Sequence, residues 1–280
     1  MEPLFSIVIA NYNYGRFLED AIKSVLYQSC QDFELIVCDA ASTDNSVEII
    51  KKYEDKISWW CSEKDNGQSD AFNKGFRHAR GKFLTWLNAD DVLMPGALKA
   101  VAEVIAKNPN SEWFVGSMAR LDENLRIIGC YSSHKFSWSR VNFGLLTGCG
   151  PSTFFTRRLL ESVGWVDETL HYVMDTDLWY RFAIKGGVAY KRTVKLVWGL
   201  REHKDSKTSG YWLAKEDPLA KEHRRKFVAE RSRALEQYMP KCKALSSLVL
   251  YLSASPLDHI RSYFMNRRYV GKCYKIGGML

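Results

Sequence analysis

Over the first 110 residues, short continuous apolar runs alternate with stretches whose apolar positions recur every three or four residues. The first kind reads as buried strand and the second as amphipathic helix. Phe5–Ala10 is the first strand, and Leu18, Ala21, Ile22, Val25 and Leu26 follow it at helical spacing. Phe33–Cys38 is the second strand. It leads through Ser42 or Asp44, either a suitable cap, to a helix carrying Val47, Ile50 and Tyr53. Ile57–Cys61 is the third, followed by a helix with Ala71, Phe72, Gly75, Phe76 and Ala79. Phe83–Leu87 is the fourth, and Pro95 is placed to open a helix reaching about Lys107.

Strand and helix taking turns in this way predict an α/β fold built on a doubly wound, Rossmann-like sheet. Ligands of such sheets bind beyond the carboxyl ends of the strands. Those ends carry Asn11 and Asn13, then Asp39, then Asp65 and Asn66, then Asp90 and Asp91. Turn formation explains any one of these, whereas four polar ends in succession favour a ligand site.

Beyond residue 110 the pattern loosens. Trp113–Met118 and Arg126–Tyr131 read as strands, and 157–163 as a helix after the loop 148–153. Asp175 and Asp177 begin another helix, Ala189–Leu200 holds one or two strands, and His203–Thr208 is a polar loop. Residues 211–237 read as a helix, and Ser255-Pro256 breaks the remainder.

Charge divides the chain more clearly than hydropathy does. Residues 1–210 balance 26 basic against 26 acidic side chains, so the net charge of +8 comes entirely from residues 211–280. The division predicts a neutral domain over 1–210 and a basic, mainly helical extension over 211–280. The extension's partner is an anionic membrane surface, an acidic carrier or nucleic acid or, equally, its charges are a solvated helix face; against the membrane reading stands a helical lid packed on the body or a dimer contact. Seven cysteines without a CxxC pair read as free thiols in a reducing compartment. Nothing ahead of Phe5 resembles a signal peptide, and the apolar stretch 244–254 is too short for a bilayer span.

Three clusters carry candidate chemistry. Asn88-Ala89-Asp90-Asp91 sets two carboxylates side by side at a strand end. That arrangement suits Mn²⁺ or Mg²⁺ with phosphate, or else a helix cap. Asp175 and Asp177 supply a general base or a cap. His203, Ser206, Lys207 and Thr208 offer a nitrogen ligand and phosphate contacts, Lys207 foremost. No Gly-x-Gly-x-x-Gly follows strand one, and there is neither a Walker lysine loop nor a Gly-x-Ser-x-Gly elbow. Dinucleotide oxidoreductases, P-loop NTPases and α/β-hydrolases are thereby disfavoured.

The run Ser6-Ile7-Val8-Ile9-Ala10-Asn11-Tyr12-Asn13 resembles the opening of family 2 inverting glycosyltransferases of the bacterial polysaccharide type. So do the strand ending at Asp39 with Ser42-Thr43-Asp44, the block Asp65–Gly75, Trp86–Asp91, and Asp175–Arg181. The five blocks stand in the family's order over residues 5–210. The resemblance implies a GT-A fold and a nucleotide-sugar donor, UDP-linked, with Mn²⁺ or Mg²⁺. It assigns Ala10, Asn11, Tyr12 and Asp39 to base and ribose, and Asp65, Asn66, Gly67 and Asn73 to the nucleotide pocket. Asn88, Ala89 and Asp90 meet the donor, and Asp90, Asp91 and His203 the metal. Asp175 aligns with the catalytic base and Asp177 is the alternative. Gly150, Pro151 and Ser152 lie near the sugar and acceptor. The acceptor that the resemblance implies is a hydroxyl of a saccharide or lipid-linked molecule in cell-surface polysaccharide synthesis. The enzyme is then expected to be cytoplasmic and peripheral on the inner membrane face. Nucleic acid is not an expected partner.

Three positions depart from the family pattern. Asn88 stands where the metal motif usually begins with Asp, Ala40-Ala41-Ser42 replaces an acidic-Gly-Ser turn, and Met174 replaces an acidic residue before the base. Two other classes compete: a sugar nucleotidyltransferase, which needs a Gly-rich basic loop that Asn11–Arg16 does not supply, and a non-catalytic sugar-nucleotide-binding module, which has no use for two separated carboxylate sites.

Overall fold

A strand whose side chains alternate between two buried faces needs apolar residues at nearly every position, and Phe5–Ala10 meets that demand. Phe5, Ile7 and Ile9 enter one core, and Val8 enters the other. In the computed structural model, which describes residues 2–142, 146, 150–206, 218–238 and 256–274, this run is the centre of a mixed sheet. β1 (Phe5–Asn11), β2 (Phe33–Asp39), β3 (Trp59–Ser62) and β4 (Phe83–Asn88) are parallel, in the order β3-β2-β1-β4. Asn11 pairs with Asp39, Asp39 with Ser62, and Ala10 with Asn88. The strands therefore end flush, and their polar last residues meet along one edge.

The sheet continues from β4 as β8-β6-β9-β5, and β7 pairs with residues 118–121 of β6, beyond the residues 113–115 that pair with β8. These strands are β5 (Val92–Leu93), β6 (Trp113–Leu121), β7 (Ile127–Tyr131), β8 (Thr153–Thr156) and β9 (Lys191–Arg201). β8 runs antiparallel to β4 and β6, and β9 runs parallel to β6. The mixed α/β architecture agrees with the expectation. Ala189–Leu200, read as one or two strands, is the single strand β9.

Helices cover both faces. α1 (Gly15–Leu26), α2 (Ser46–Lys52) and α4 (Ala97–Lys107) place Leu18, Ile22, Ile50, Leu98 and Val101 on one core. α3 (Gln68–His78), α6 (Arg157–Val163) and α7 (Met174–Ile184) place Phe72, Phe76, Leu160, Leu178 and Trp179 on the other. A short helix, α5 (Trp138–Asn142), follows β7. Within the second core Trp86 of β4 stacks on Trp179 of α7, with centroids 5.3 Å apart and planes within 3°. This fastens the helix bearing Asp175 to the strand ending in Asn88. A stacked pair of this kind contributes about 0.5–1.5 kcal/mol beyond the area it buries.

Two local expectations are corrected. α4 begins at Ala97 rather than Pro95. Val92 and Leu93 pair with Gly199 and Trp198 of β9, and Gly96 turns the chain at φ 72°. Neither Asp90 nor Asp91 therefore caps α4. Ser42 does not cap α2 either. Its hydroxyl donates to Asp39 Oδ1, while Asp44 accepts from Ser46 N at 3.0 Å and from Gly15 N at 2.8 Å, tying the starts of α1 and α2.

The extension contributes α8 (Pro218–Glu236) and α9 (Pro256–Tyr269). α9 lies along β7, where Asn266 accepts from Cys130 N at 2.8 Å and Ser262 Oγ accepts from Ser132 N at 3.0 Å. Residues 207–217 and 239–255 lie outside the described residues, so the predicted helix over 211–237 is seen only from Pro218. Among the described residues no helix is long and apolar enough to cross a membrane.

Candidate active site

The flush strand ends create a buried polar row. Asn11 donates from Nδ2 to Asp39 Oδ1 at 2.6 Å and to Ser42 Oγ at 3.1 Å. Asp39 also accepts from Ser42 N at 3.0 Å and Ser62 Oγ at 2.6 Å. Asp39 is thus enclosed by donors of the protein, and Asn11 Oδ1 is left buried without a hydrogen-bond partner. A buried carbonyl oxygen without a donor is costly unless a ligand supplies one. Ala10 precedes this row, and Tyr12 beyond it is 61% exposed.

Asp65, Asn66 and Gly67 form the turn into α3. Asp65 Oδ1 accepts from Gly67 N at 2.9 Å, and Asp70 Oδ2 accepts from Asn66 N at 3.0 Å. Burial, then the Asp70 and Asp39 carboxylates, push the Asp65 carboxyl above its ordinary range, with the Gly67 bond opposing them. Gly67 takes φ 118°, which favours glycine, and its absent Cβ would lie 4.0 Å from His171 Nδ1. Asn73, expected in the same pocket, is buried and donates to Val166 O and Glu168 Oε1 while accepting from Val166 N. It fastens the 166–168 segment.

The two adjacent carboxylates diverge. Asp90 Oδ2 lies 3.1 Å from His203 Nε2. Asp91 turns back into the body, where it accepts from Asn88 Nδ2 at 2.7 Å and from Arg201 N at 3.0 Å. Burial and the neighbouring Asp90 raise the Asp91 carboxyl well above its usual range. Asn88 at this position has a physical account. Its amide donates to Asp91 and accepts from Gln68 Nε2 at 2.8 Å, a bridge that an ionised aspartate does not make. Ala89 between them is buried.

His203 is enclosed by Phe17 and Tyr14, with centroids 4.6 and 5.7 Å away. Arg16 Nη2 lies 3.3 Å from its Nδ1 and 2.6 Å from Asp205 Oδ2. Burial, then Asp90 and Asp205, raise the Tyr14 phenol. A carboxylate oxygen and an imidazole nitrogen that converge, with Asp91 bonded behind them, fit a divalent ion held jointly with phosphate oxygens. Among the described residues no group of three or more His, Cys, Asp or Glu could hold a metal ion by itself. Lys207 lies outside the described residues.

Asp175 and Asp177 take different surroundings. Asp177 is buried, pairs with Arg181 Nε at 2.7 Å, and accepts from Tyr238 OH at 2.8 Å and Gln237 Nε2 at 3.3 Å. Asp175 is half-buried in the first turn of α7, and its Oδ1 accepts from Thr176 N at 2.6 Å. Its Oδ2 faces Gly150, 3.8 Å from where a Cβ would stand. That same Cβ would meet the Trp198 ring at 3.3 Å, so the missing side chain lets Trp198 approach. Gly150, Pro151 and Ser152 form a buried 3₁₀ turn held by Ser152 Oγ to Gly116 O at 3.2 Å.

Contacts join these groups along one rim. Gln68 reaches Asn88, Gly67 adjoins His171, and Ser69 Oγ meets Leu170 O and Met174 Sδ. Trp198 packs beside Gly150 and pairs with Leu93, two residues past Asp91. Several participants were not singled out from the sequence: Gln68, Arg16, Tyr14, Arg201 and Trp198. Gln68 lies inside a block that resembles the family. The others join the site through contacts remote in the chain, and no local pattern marks them.

A sheet of this order, with its polar strand ends opposed by a helix carrying Asp175, defines a GT-A type fold. The sequence pattern of "Glycosyl transferase family 2" matches residues 6–164, and the chain belongs to that family. It is 40% identical over 177 residues to an uncharacterized glycosyltransferase of Nostoc sp., covering 58% of this chain and 53% of the relative. It is 29% identical over 166 residues to a PGL/p-HBAD biosynthesis glycosyltransferase of Mycobacterium bovis, covering 58% and 62%. The chain spans a little over half the length of such curated relatives. In fold it is similar to S. aureus TarS 1–349 in complex with UDP-GlcNAc, with TM-score 0.61, 16% identity, and 93% and 78% of the two chains covered. It is equally similar to the mannosyltransferase PcManGT of Pyrobaculum calidifontis in complex with GDP-Man and Mn²⁺, with TM-score 0.61, 15% identity, and 96% and 75% covered.

Proposed function

We propose that the chain transfers a sugar from a nucleotide-sugar donor, UDP-linked, to an acceptor hydroxyl with inversion at the anomeric carbon. One observation carries this reading: Asp90, bonded to His203, stands three residues before Leu93, Leu93 pairs with Trp198, and Trp198 and Asp175 Oδ2 both face Gly150. Asn11 Oδ1 awaits a donor at the strand ends, where a base N–H can supply it. Asp90 and His203 are the residues to hold a divalent ion, with Asp91 ordering the turn behind them. An ion there supplies Lewis-acid stabilisation of charge on the departing diphosphate. Asp175 takes the proton of the attacking hydroxyl through Oδ2 while Thr176 N anchors Oδ1. Gly150, Pro151 and Ser152 line the side where sugar and acceptor meet.

The acceptor is read as a saccharide or lipid-linked hydroxyl in cell-surface polysaccharide synthesis, on the cytoplasmic face of the membrane. The outward residues of α9 support a membrane contact: Ile260, Tyr263 and Phe264 are exposed beside Arg261, Arg267 and Arg268. The test is turnover of UDP-GlcNAc and GDP-mannose with Mn²⁺, scored as nucleoside diphosphate release. Asp175→Asn is expected to lower kcat by about 10²–10⁴-fold and leave donor affinity within about twofold. Full turnover in that variant, or in excess EDTA, overturns the base or the metal respectively.

A further inference from the structure

The basic extension makes an acidic contact with the body. Glu230 of α8 accepts three backbone N–H groups in a row: His171 N at 3.2 Å on Oε2, and Tyr172 N at 2.7 Å and Val173 N at 3.0 Å on Oε1. Val173 is the N-cap of α7, and Asp175 is the helix's second residue. The Val173 side chain makes no cap bond, so the approach to the helix is held by a residue 57 positions away.

The rest of α8's inner face repeats the arrangement. His223 Nδ1 lies 2.8 Å from Tyr172 OH, and Phe227 packs edge-on to the Tyr172 ring. Ala234 and Leu235 are buried, and Tyr238 stacks on Tyr180 at 5.7 Å. Tyr238 and Gln237 then donate to Asp177 in α7's first turn. The inner face of α8, with Gln237 and Tyr238 just beyond it, thus meets the segment 171–173 and the first two turns of α7.

We infer that Glu230 is a positioning residue for Asp175, and that α8 is part of the active-site structure rather than an appendage. This rests on the reading of Asp175 as base. Each hydrogen bond to a carboxylate is stronger than a neutral one, and three converge here. Without them, the three amides of 171–173 lose the acceptor they share, and α7 loses one of the contacts that fix its entry. Asp175, two residues beyond Val173, takes its aim at Gly150 from that entry together with the stack of Trp179 on Trp86. A displacement of an ångström in such a group costs about 10²-fold in rate. His171 of the same segment also adjoins Gly67, so the clip bears on the turn at 65–67 as well.

The experiment compares wild type, Glu230→Gln and Glu230→Ala. Backbone amide hydrogen exchange at 171–175 reads the clip. Turnover of UDP-GlcNAc or GDP-mannose, whichever the wild type accepts, reads the positioning, and calorimetry with the matching nucleoside diphosphate and Mn²⁺ reads donor affinity. Glu230→Ala is expected to raise exchange at 171–173 at least tenfold. It should lower kcat about 10–100-fold and leave affinity within about threefold. Glu230→Gln keeps an acceptor oxygen for Tyr172 N and Val173 N, so it should recover most of the rate, and it guards against a variant that fails to fold. Unchanged exchange in Glu230→Ala overturns the clip. Raised exchange with unchanged kcat overturns the positioning role. A wild type inert toward both sugar nucleotides overturns the functional reading and the positioning with it. That failure is distinguished because the exchange difference between wild type and Glu230→Ala persists.

Discussion

The first four strands and the chain beyond residue 110 build facing sides of one rim by different means. On the first side each βα unit ends a strand in the same plane, so Asn11, Asp39, Ser62 and Asn88 come together through sheet register. On the second side no repeat operates. Asp175 is set by α7's stack on Trp86, by Gly150 against Trp198, and by Glu230. The carboxylates differ accordingly. Asp39 is fixed by residues of adjoining strands and loops, whereas Asp177 needs Tyr238 and Gln237, about 60 residues further on. The register-built side should tolerate loss of a single contact better than the side assembled from distant ones.

Exchanging the two aspartates of α7 is the strongest way to break this comparison. Asp177→Asn leaves Arg181 buried without its carboxylate, and removal of one partner of such a pair costs about 3–5 kcal/mol. Urea unfolding should show that loss. Asp175→Asn should unfold within about 0.5 kcal/mol of wild type while turnover collapses. An Asp177→Asn protein of normal stability and no activity, beside an active Asp175→Asn, reverses the two roles.

That pair also marks how far the sequence could be read. Periodicity exposed the strands and most helices up to α4, because a buried parallel strand must be apolar throughout and its polar terminus stands out. The acidic positions of α7 were visible, but Asp175 and Asp177 lie in the same turn and spacing alone does not separate them. Only Arg181, Tyr238 and Gln237 on one side and Gly150 on the other tell them apart. Asn88 looked like a defect in a metal motif until its two bonds, to Asp91 and Gln68, became visible. Glu230 stands among basic residues with no local pattern to mark it, since the amides it caps are 57–59 residues away.

The far end of the same sheet offers a smaller effect with a pH signature. Glu34 is buried and accepts from Ser6 Oγ at 2.6 Å, from Gly81 N at 3.1 Å and from Arg80. Burial opposes its ionisation, but the Ser6 hydroxyl and the Arg80 amide and guanidinium outweigh it and hold the carboxyl below its ordinary value. A folded-state pKa lower than the unfolded one stabilises the protein above the unfolded pKa, about 4.3, and the gain is lost as pH falls through the lowered value. Glu34→Gln should cost about 1.5–3 kcal/mol at pH 7. The gap to wild type should shrink on acidification below about pH 4. A gap that stays constant between pH 7 and pH 3 removes ionisation from the account.

The smallest expected effect on stability tests the extension's other helix. α8 turns Phe227, Glu230 and Leu235 toward the body, whereas α9 turns Ser262 and Asn266 inward and leaves Ile260, Tyr263 and Phe264 outside. An apolar face held outward by inward polar bonds, flanked by Arg261, Arg267 and Arg268, matches an anionic bilayer interface. Replacing Ile260, Tyr263 and Phe264 by Ser should change stability by less than about 0.5 kcal/mol per site, because all three are exposed and the ring contacts of Tyr263 are with Phe264 and Arg267 on the same helix face. Asn266→Ala, the inward counterpart, should cost about 1–3 kcal/mol by stranding Cys130 N–H. The triple variant should lose co-sedimentation with phosphatidylglycerol vesicles, which the wild type shows at low salt and gives up as salt rises. Equal binding of the triple variant and wild type refutes the membrane contact. Loss of a concentration-dependent dimer in the triple variant, without any vesicle binding by wild type, assigns the face to a second copy of the chain instead.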